Sequence, residues 1–392
     1  MESLQKIVRF AGGSGERNKG KTTIPKKIKI YTDWSLRPTD NSMPAFLLYP
    51  CFKLFFHKEF NFSDKSEFRD TMRFESIEKK WNKYFSYVSL IDEADWIVLP
   101  SDWKYYVGES ILEKSFNYIE TMTKLNKRIL IQYNSDDDLP NDIFLKNKNV
   151  HILRTSLNKS KCNPNEHVLP GFVGDPLKIY SKNKLIIHKK CHNPKVVFCG
   201  WANDIKMTIE ELNSFSYLID NNFSELNLKD QADHIYRFRG SVLNFVRQNN
   251  KINSEILVRN GYCAGIDKEK DEIALKRVRF EYFNNMMAGD YVICIRGKGN
   301  YSYRFYETLA MGRIPVLVDT DCSLPFLSLI NWNKHCIIVD HHNVQNIGEI
   351  IIDYHSMLSE SDFKKMQYNN RKLWEDMLVP EKFFYNFFNL QN

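Results

Sequence analysis

Tyr291-Val-Ile-Cys-Ile-Arg296-Gly297-Lys298-Gly299-Asn300-Tyr-Ser302-Tyr303-Arg304-Phe-Tyr-Glu307-Thr308-Leu-Ala-Met-Gly312-Arg313-Ile-Pro315-Val-Leu-Val318 is the stretch on which the fold turns. An apolar, β-branched run leads into a loop of Arg, Gly and Lys. Ser302 then opens a helix, Gly312 closes it, and a second apolar run follows with Pro315 in its first turn. Strand, loop, helix and strand in this order make a βαβ unit, and such units build parallel sheets. In an open α/β sheet, ligands sit beyond the C-terminal ends of the strands. The amides of Gly297 and Gly299, the helix N-terminus, Arg296 and Arg304 would together suit a diphosphate. Glu307, one turn on, can accept two hydroxyl hydrogen bonds, as a ribose offers. The same spacing also fits an ordinary βαβ unit with Arg304 and Glu307 as an i,i+3 surface pair. The residues alone leave both readings open.

The pattern extends outward on both sides. Upstream of the stretch come strands at 195–200 and 256–258 and helices near 207–220, 241–249 and 273–287. Downstream come a strand at 335–340, helices at 344–358 and 362–378, and an aromatic segment at 382–389. A lysine-rich connection, 178–193, separates all this from an earlier series. That series has a strand at 27–31, an apolar run at 45–56, a helical stretch at 76–88, a strand at 95–100, a helix at 109–125, a strand at 128–133 and a weaker one at 151–154. The expectation is an α/β protein of two halves facing a cleft. A flexible tail, 1–26, would precede a first domain, 27–180, and a second, 181–378. A helix in 379–392 would pack back on the first domain.

Composition bounds the function. With 392 residues, 43% hydrophobic and 26% charged, the chain can bury two cores, which excludes a disordered, fibrous or disulfide-scaffold protein. A net charge of +7 spread over this length is too dilute for a nucleic-acid binder, though compatible with anionic ligands. The eight cysteines form no CxxC pair and several lie inside apolar runs, so they read as buried free thiols in a reducing cytoplasm. The first twenty residues carry no apolar signal segment, and the run at 45–56 is too short to span a bilayer. A cytoplasmic protein, with at most peripheral contact with the inner membrane, is expected.

Three other motifs invite a function. Gly15-Glu-Arg-Asn-Lys-Gly20-Lys21-Thr22 matches a phosphate loop, but Pro25 falls where the required helix should begin, so it reads as a chance match. Asp136-Asp137-Asp138 and Asp319-Thr320-Asp321 follow strands and could hold Mg²⁺ or Mn²⁺, yet such clusters are also common turn formers and caps. His341 and His342 lead from a strand into a helix and read as cap or solvent-facing residues.

The run from Ser302 and Arg304 through Glu307, Gly312 and Pro315, with the later Leu324-Pro325-Phe326, resembles the signature of the exostosin family of glycosyltransferases. Tyr291 to Gly297 is similar to that family's strand and basic loop, and weaker echoes include Asn165-Glu166…Pro170 and Arg237-Phe-Arg239. The resemblance implies a GT-B fold of two Rossmann-like, doubly wound domains, the first holding the acceptor and the second a nucleotide-sugar. It implies sugar transfer, hexosyl or glycuronosyl, from a UDP-sugar to a glycan or lipid-linked saccharide, with no metal or other cofactor. Carried over by position, Arg239, Arg296, Gly297, Ser302, Tyr303 and Arg304 would line the diphosphate site, with Arg239 at the start of a helix, and Glu307 would hold the ribose. Ile295, Thr308 and Arg313 depart from the family's pattern. Those departures, and the missing membrane anchor, point to a bacterial enzyme of surface polysaccharide synthesis. An acceptor base is expected from a first-domain loop: Asp136 or Asp137, with Asp102 and Asp33 behind. The rival readings are a non-catalytic nucleotide- or carbohydrate-binding protein on a degenerate GT-B fold and a P-loop phosphotransferase.

Overall fold

The computed structural model describes residues 25–39, 42–56, 68–137, 147–203, 206–221, 223–266 and 271–391. The phosphate-loop match at 15–22 lies outside them, as does Asp138.

Two parallel sheets form the frame. The first holds β1 (Ile28–Tyr31), β2 (Phe85–Tyr87), β3 (Trp96–Val98), β4 (Ile129–Tyr133), β5 (Val150–Arg154) and β6 (Glu166–Val168), in the order β2-β1-β3-β4-β5-β6. The second holds β7 (Lys195–Trp201), β8 (Asn253–Arg259), β9 (Tyr291–Cys294), β10 (Ile314–Asp319) and β11 (Ile337–Asp340), in the order β11-β10-β9-β7-β8. Both sheets are doubly wound. In each the strand order reverses beside the first strand, between β1 and β3 and between β7 and β9, and that reversal opens a crevice at the strands' C-terminal ends. This is the α/β, two-sheet GT-B architecture that the signature implied.

Strand alternation divides each sheet into two cores. In the second sheet Val196, Phe198, Tyr291, Ile293, Val316, Val318 and Ile337 face helices α5 (Ile209–Asn221), α6 (Leu228–Gln248) and α9 (Ile347–Met357). The intervening Val197, Val292, Cys294 and Leu317 face α7 (Glu272–Ala288) and α8 (Tyr303–Ala310), through Phe283, Met286, Phe305 and Leu309. In the first sheet Ile97, Ile129, Ile131 and Ile152 meet Ile119 and Met122 of α3 (Ile111–Lys124). On its other face lie α1 (Tyr49–Phe56), α2 (Phe68–Tyr84) and the last helix, α11 (Pro380–Leu390). Phe383, Phe384, Phe387 and Phe388 of α11 are all at most 3% exposed among Ile28, Ile30, Trp96 and Val98. The chain thus returns to its first sheet after completing the second. The short α4 (Pro176–Tyr180) precedes the crossing, and α10 (Glu360–Leu373) lies between α9 and α11.

The sequence pattern misplaced several boundaries. The helical stretch expected over 76–88 stops at Tyr84, and Phe85–Tyr87 forms an edge strand instead, with no glycine or proline marking the junction. The apolar run at 45–56 is a short 3-10 turn followed by α1. The strand at 256–258 is β8, seven residues long. Glu166–Val168, noticed only as a family echo, is the edge strand β6.

His151 of β5 and His167 of β6 stack with ring centroids 5.4 Å apart, beside Trp96 and Phe387. Burial lowers both pKa values to about 4, and for His151 the neighbouring His167 and Arg128 add to the effect. Both rings fold neutral and would bind protons more readily when unfolded, near pH 6.5. Their contribution to stability is therefore complete above 6.5 and is lost as pH falls toward 4, by at most about 1.4 kcal/mol per pH unit for each ring. Thermal unfolding followed across that interval should show a steep acid decline that His151→Gln/His167→Gln flattens. An equal slope in the double variant would mean that other groups cause it.

Candidate functional site

A cavity of about 530 Å³ opens at the switch point of the second sheet. Its walls are the end of β7 (Cys199, Gly200, Trp201), the loop after β9 (Gly297, Lys298) and the start of α8 (Ser302, Tyr303, Arg304, Glu307). Arg239 and Tyr236 of α6, Arg279 and Tyr282 of α7, and Arg259 also line it, as does Asp136 from the first sheet. The lining carries five cationic side chains, Arg239, Arg259, Arg279, Lys298 and Arg304, against two carboxylates, Asp136 and Glu307.

Arg259 and Arg279 are paired with Glu281 and Glu307, whereas Arg304 and Arg239 are held without a described carboxylate partner. Arg304 lies over the Phe198 ring at 4.2 Å and gives Nη2–H to the Cys199 carbonyl at 2.9 Å. It fits there because residue 200 is glycine: a Cβ would collide with the guanidinium. Among the described residues the buried Arg304 Nε has no hydrogen-bond partner. Among the described residues Arg239 donates only to backbone carbonyls, of Trp201 at 3.0 Å and of Arg296 at 2.6 and 3.1 Å. Burial, and then the charges of Arg304 and Arg296, lower its pKa to about 9. Two guanidinium groups that repel one another, one with an unsatisfied N–H, beside the N-terminal N–H groups of α8, form a site for an anion.

Glu307 is 3% exposed and is oriented by α7. Tyr282 Oη donates to one carboxylate oxygen and Arg279 Nη2 to the other at 3.3 Å. Burial, reinforced by the Glu307 charge, pushes the Tyr282 phenol well above its usual pKa, so it remains a donor. Trp201 and Tyr236 stack 3.6 Å apart beside Arg239 and present aromatic surface to the cavity.

The loop after β9 is fastened to the first sheet. Asn300, 1% exposed, donates to Asn158 Oδ1 and to the Thr320 carbonyl, and its own N–H reaches Ser156 Oγ at 2.7 Å. At Gly299 a Cβ would lie 2.8 Å from the Asp136 Cα, so only glycine lets the two halves approach this closely. Tyr301 Oη donates to Asp136 Oδ1 at 3.1 Å.

The expected residues are thus divided. Arg239, Gly297, Ser302, Tyr303, Arg304, Glu307 and Asp136 all line one cavity. Ser302 is the N-cap residue of α8, but its side chain makes no capping bond. Arg239 does not start a helix: it lies in the middle of α6, which begins after the Asn227 cap. Arg296 is outside the lining and 3% exposed; it stacks on Phe223 and holds the carbonyls of Gly297 and Lys298. Asp137 is also outside it, accepting from Tyr133 Oη at 2.9 Å. Asp102 is buried and accepts from Gln132 and the Asn134 amide, and Asp33 caps a 3-10 turn through the Ser35 amide. Both are structural. Asp319 pairs with Lys159 and Asp321 holds Ser160, so this acidic pair joins the two halves. His341 is buried rather than solvent-facing, and the cap of its turn is Asp340. Arg259, Arg279, Tyr282, Trp201 and Tyr236 escaped the sequence reading. An i,i+3 Arg279–Tyr282 pair one helix before the signature was the available hint for two of them.

Comparison with known proteins finds a similarity over part of the chain. The Exostosin GT47 domain matches residues 223–352, about a third of the chain, from α6 through β11 into α9. An Exostosin-1 homolog from Caenorhabditis elegans is 32% identical over 74 residues, 19% of either chain. Drosophila melanogaster Exostosin-1 is 30% identical over 109 residues, 28% of this chain and 14% of its own length. A probable glucuronosyltransferase from Oryza sativa is 30% identical over 70 residues, 18% of this chain and 16% of its own. The chain therefore spans well under two thirds of these relatives. Among solved structures, a glycosyltransferase from Rickettsia africae aligns over 93% of this chain and 98% of its own at 12% identity, with a TM-score of 0.34. WaaG, a glycosyltransferase involved in lipopolysaccharide biosynthesis, aligns over 70% and 82% at 10% identity, with a TM-score of 0.31. The matched residues, 223–352, supply Arg239, Arg304 and Glu307 of the cationic cavity, and this part of the chain is similar to the exostosin GT47 domain.

Proposed function

We propose that the protein transfers a sugar from a nucleotide-sugar, a UDP-sugar, to a glycan or lipid-linked saccharide. The observation that carries this reading is the pair of guanidinium groups at the β7–β9 switch point: among the described residues, Arg239 is bonded only to carbonyls and the buried Nε of Arg304 has no partner. Such groups suit a diphosphate and can stabilise it as it departs, in place of a metal ion. Glu307, steadied by Arg279 and Tyr282, would accept the ribose hydroxyls, and the Trp201–Tyr236 stack offers a face to the base. Asp136, reaching the cavity from the opposite sheet, would take the proton from the acceptor hydroxyl.

The proposed setting is polysaccharide synthesis at the cytoplasmic face of a membrane. Eight cysteines without disulfides fit a reducing compartment. Among the described residues no helix is long and apolar enough to cross a bilayer.

The test is a thermal-shift screen of UDP-, GDP-, CMP- and dTDP-sugars with and without EDTA, followed by turnover assays. A UDP-sugar should raise the melting temperature most, by mass action, and EDTA should not abolish the shift. UDP binding without turnover of any sugar nucleotide would favour a non-catalytic binding protein, and no response to any of them would remove the donor site.

A further inference from the structure

We infer that Asp220, His341 and His342 form a binding site for one divalent transition-metal ion, with the chemistry of Zn²⁺, outside the cationic cavity. Asp220 stands in the last turn of α5, and the two histidines open the 3-10 turn that follows β11. His341 Nε2 lies 3.0 Å from Asp220 Oδ1, and His342 Nε2 lies 2.9 Å from Oδ2. One ligand atom from each residue falls within 4.8 Å of the others.

The environment of His341 is what points to a cation. The ring is 6% exposed, and its Nδ1 lies 3.0 Å from the Asp319 carbonyl oxygen, with Asp340 Oδ1 at 3.6 Å. Carbonyl and carboxylate oxygens only accept hydrogen bonds, so both ring nitrogens face acceptors. In a neutral ring whose Nδ1–H is donated to the carbonyl, the Nε2 lone pair would face the Asp220 carboxylate, and a cation between them would turn that repulsion into two bonds. A second-ring N–H held by a backbone carbonyl is the usual way a ligating imidazole is oriented. Two imidazoles and a carboxylate suit Zn²⁺ and leave a fourth position for water, whereas Mg²⁺ and Ca²⁺ favour all-oxygen sites.

The ion would tie α5 to the turn after β11 and, through Asp319, to the end of β10. Phe223, just beyond Asp220, carries the Arg296 guanidinium at 4.6 Å, and Arg296 in turn holds two carbonyls of the loop after β9. The site would therefore stiffen that loop from behind.

The experiment titrates metal-free protein with Zn²⁺ against a chromogenic chelator, in the wild type and in His342→Ala and Asp220→Ala. Both residues are exposed, and circular dichroism confirms that the variants fold. The wild type should take up one equivalent of Zn²⁺ and gain melting temperature, with Mg²⁺ inert. Each variant should lose the gain in melting temperature and bind at least about 10- to 100-fold more weakly, the range already seen for loss of an outer-shell partner alone. A Co²⁺ absorption band present only in the wild type would report the same ligands directly. Failure of the wild type to bind, or equal affinity in all three proteins, overturns the assignment.

Discussion

Arg304→Ala is expected to weaken UDP binding by roughly 10- to 150-fold, the cost of losing charged hydrogen bonds worth about 1.5–3 kcal/mol. In the free protein its guanidinium makes one described hydrogen bond, to the Cys199 carbonyl, and keeps a buried Nε–H unsatisfied. A diphosphate oxygen would supply that missing acceptor, so binding gains a charged bond without breaking an ion pair. Arg304→Lys retains charge but loses the fork and its stacking on Phe198, so it should recover only part of the affinity. Glu307 gives an orthogonal check: Glu307→Gln should narrow the preference for UDP over 2′-deoxy-UDP, because the carboxylate is assigned to the ribose hydroxyls. Isothermal titration of folded variants measures all of these. Wild-type affinity for UDP in both Arg304→Ala and Glu307→Gln would sink the donor-site assignment.

The part of the lining contributed by one continuous segment, with Arg239 and Asp136, was legible from sequence, and most of the part assembled by folding was not. Gly297, Ser302, Arg304 and Glu307 lie in one strand–loop–helix unit, where spacing alone decides which groups share a crevice. Arg279 and Tyr282 come from α7, and Trp201 and Tyr236 from β7 and α6; only the strand reversal between β7 and β9 brings them to the same cavity. Arg296 shows the opposite error. Its place beside Gly297 suggested a phosphate contact, yet the backbone turns it onto Phe223, a partner 73 residues earlier that no local pattern could name. Asp102 and Asp137 show why acids at strand ends are poor guides: their carboxylates are engaged by Gln132 and Asn134 and by Tyr133. Asn300 passed unremarked in a loop of glycines, although it is the side chain that joins that loop to Asn158 and Thr320.

On the proposed reading, one carboxylate is free for the chemical step. Of the two carboxylates in the lining, Glu307 is buried and engaged by both Arg279 and Tyr282, which leaves it no freedom to accept a proton from an acceptor sugar. Asp136 is exposed, hydrogen-bonded only by Tyr301 Oη among the described residues, and reaches the cavity from the loop after β4 of the first sheet. An inverting transfer needs its base on the side away from the leaving diphosphate, because the acceptor hydroxyl attacks from there, and the proposal puts Asp136 on that side. Asp136→Asn keeps the shape and the Tyr301 contact but removes the basic oxygen, so kcat should fall by about 10²- to 10⁴-fold. UDP affinity should stay close to wild type, since the proposal assigns the diphosphate to Arg239 and Arg304 rather than to Asp136. Tyr301→Phe, which deletes the contact and leaves the carboxylate, should cost far less. Steady-state rates together with UDP titrations separate the two effects. A near-wild-type kcat in Asp136→Asn would remove it as the base, and a matching loss of UDP affinity would make it a positioning residue of the donor site.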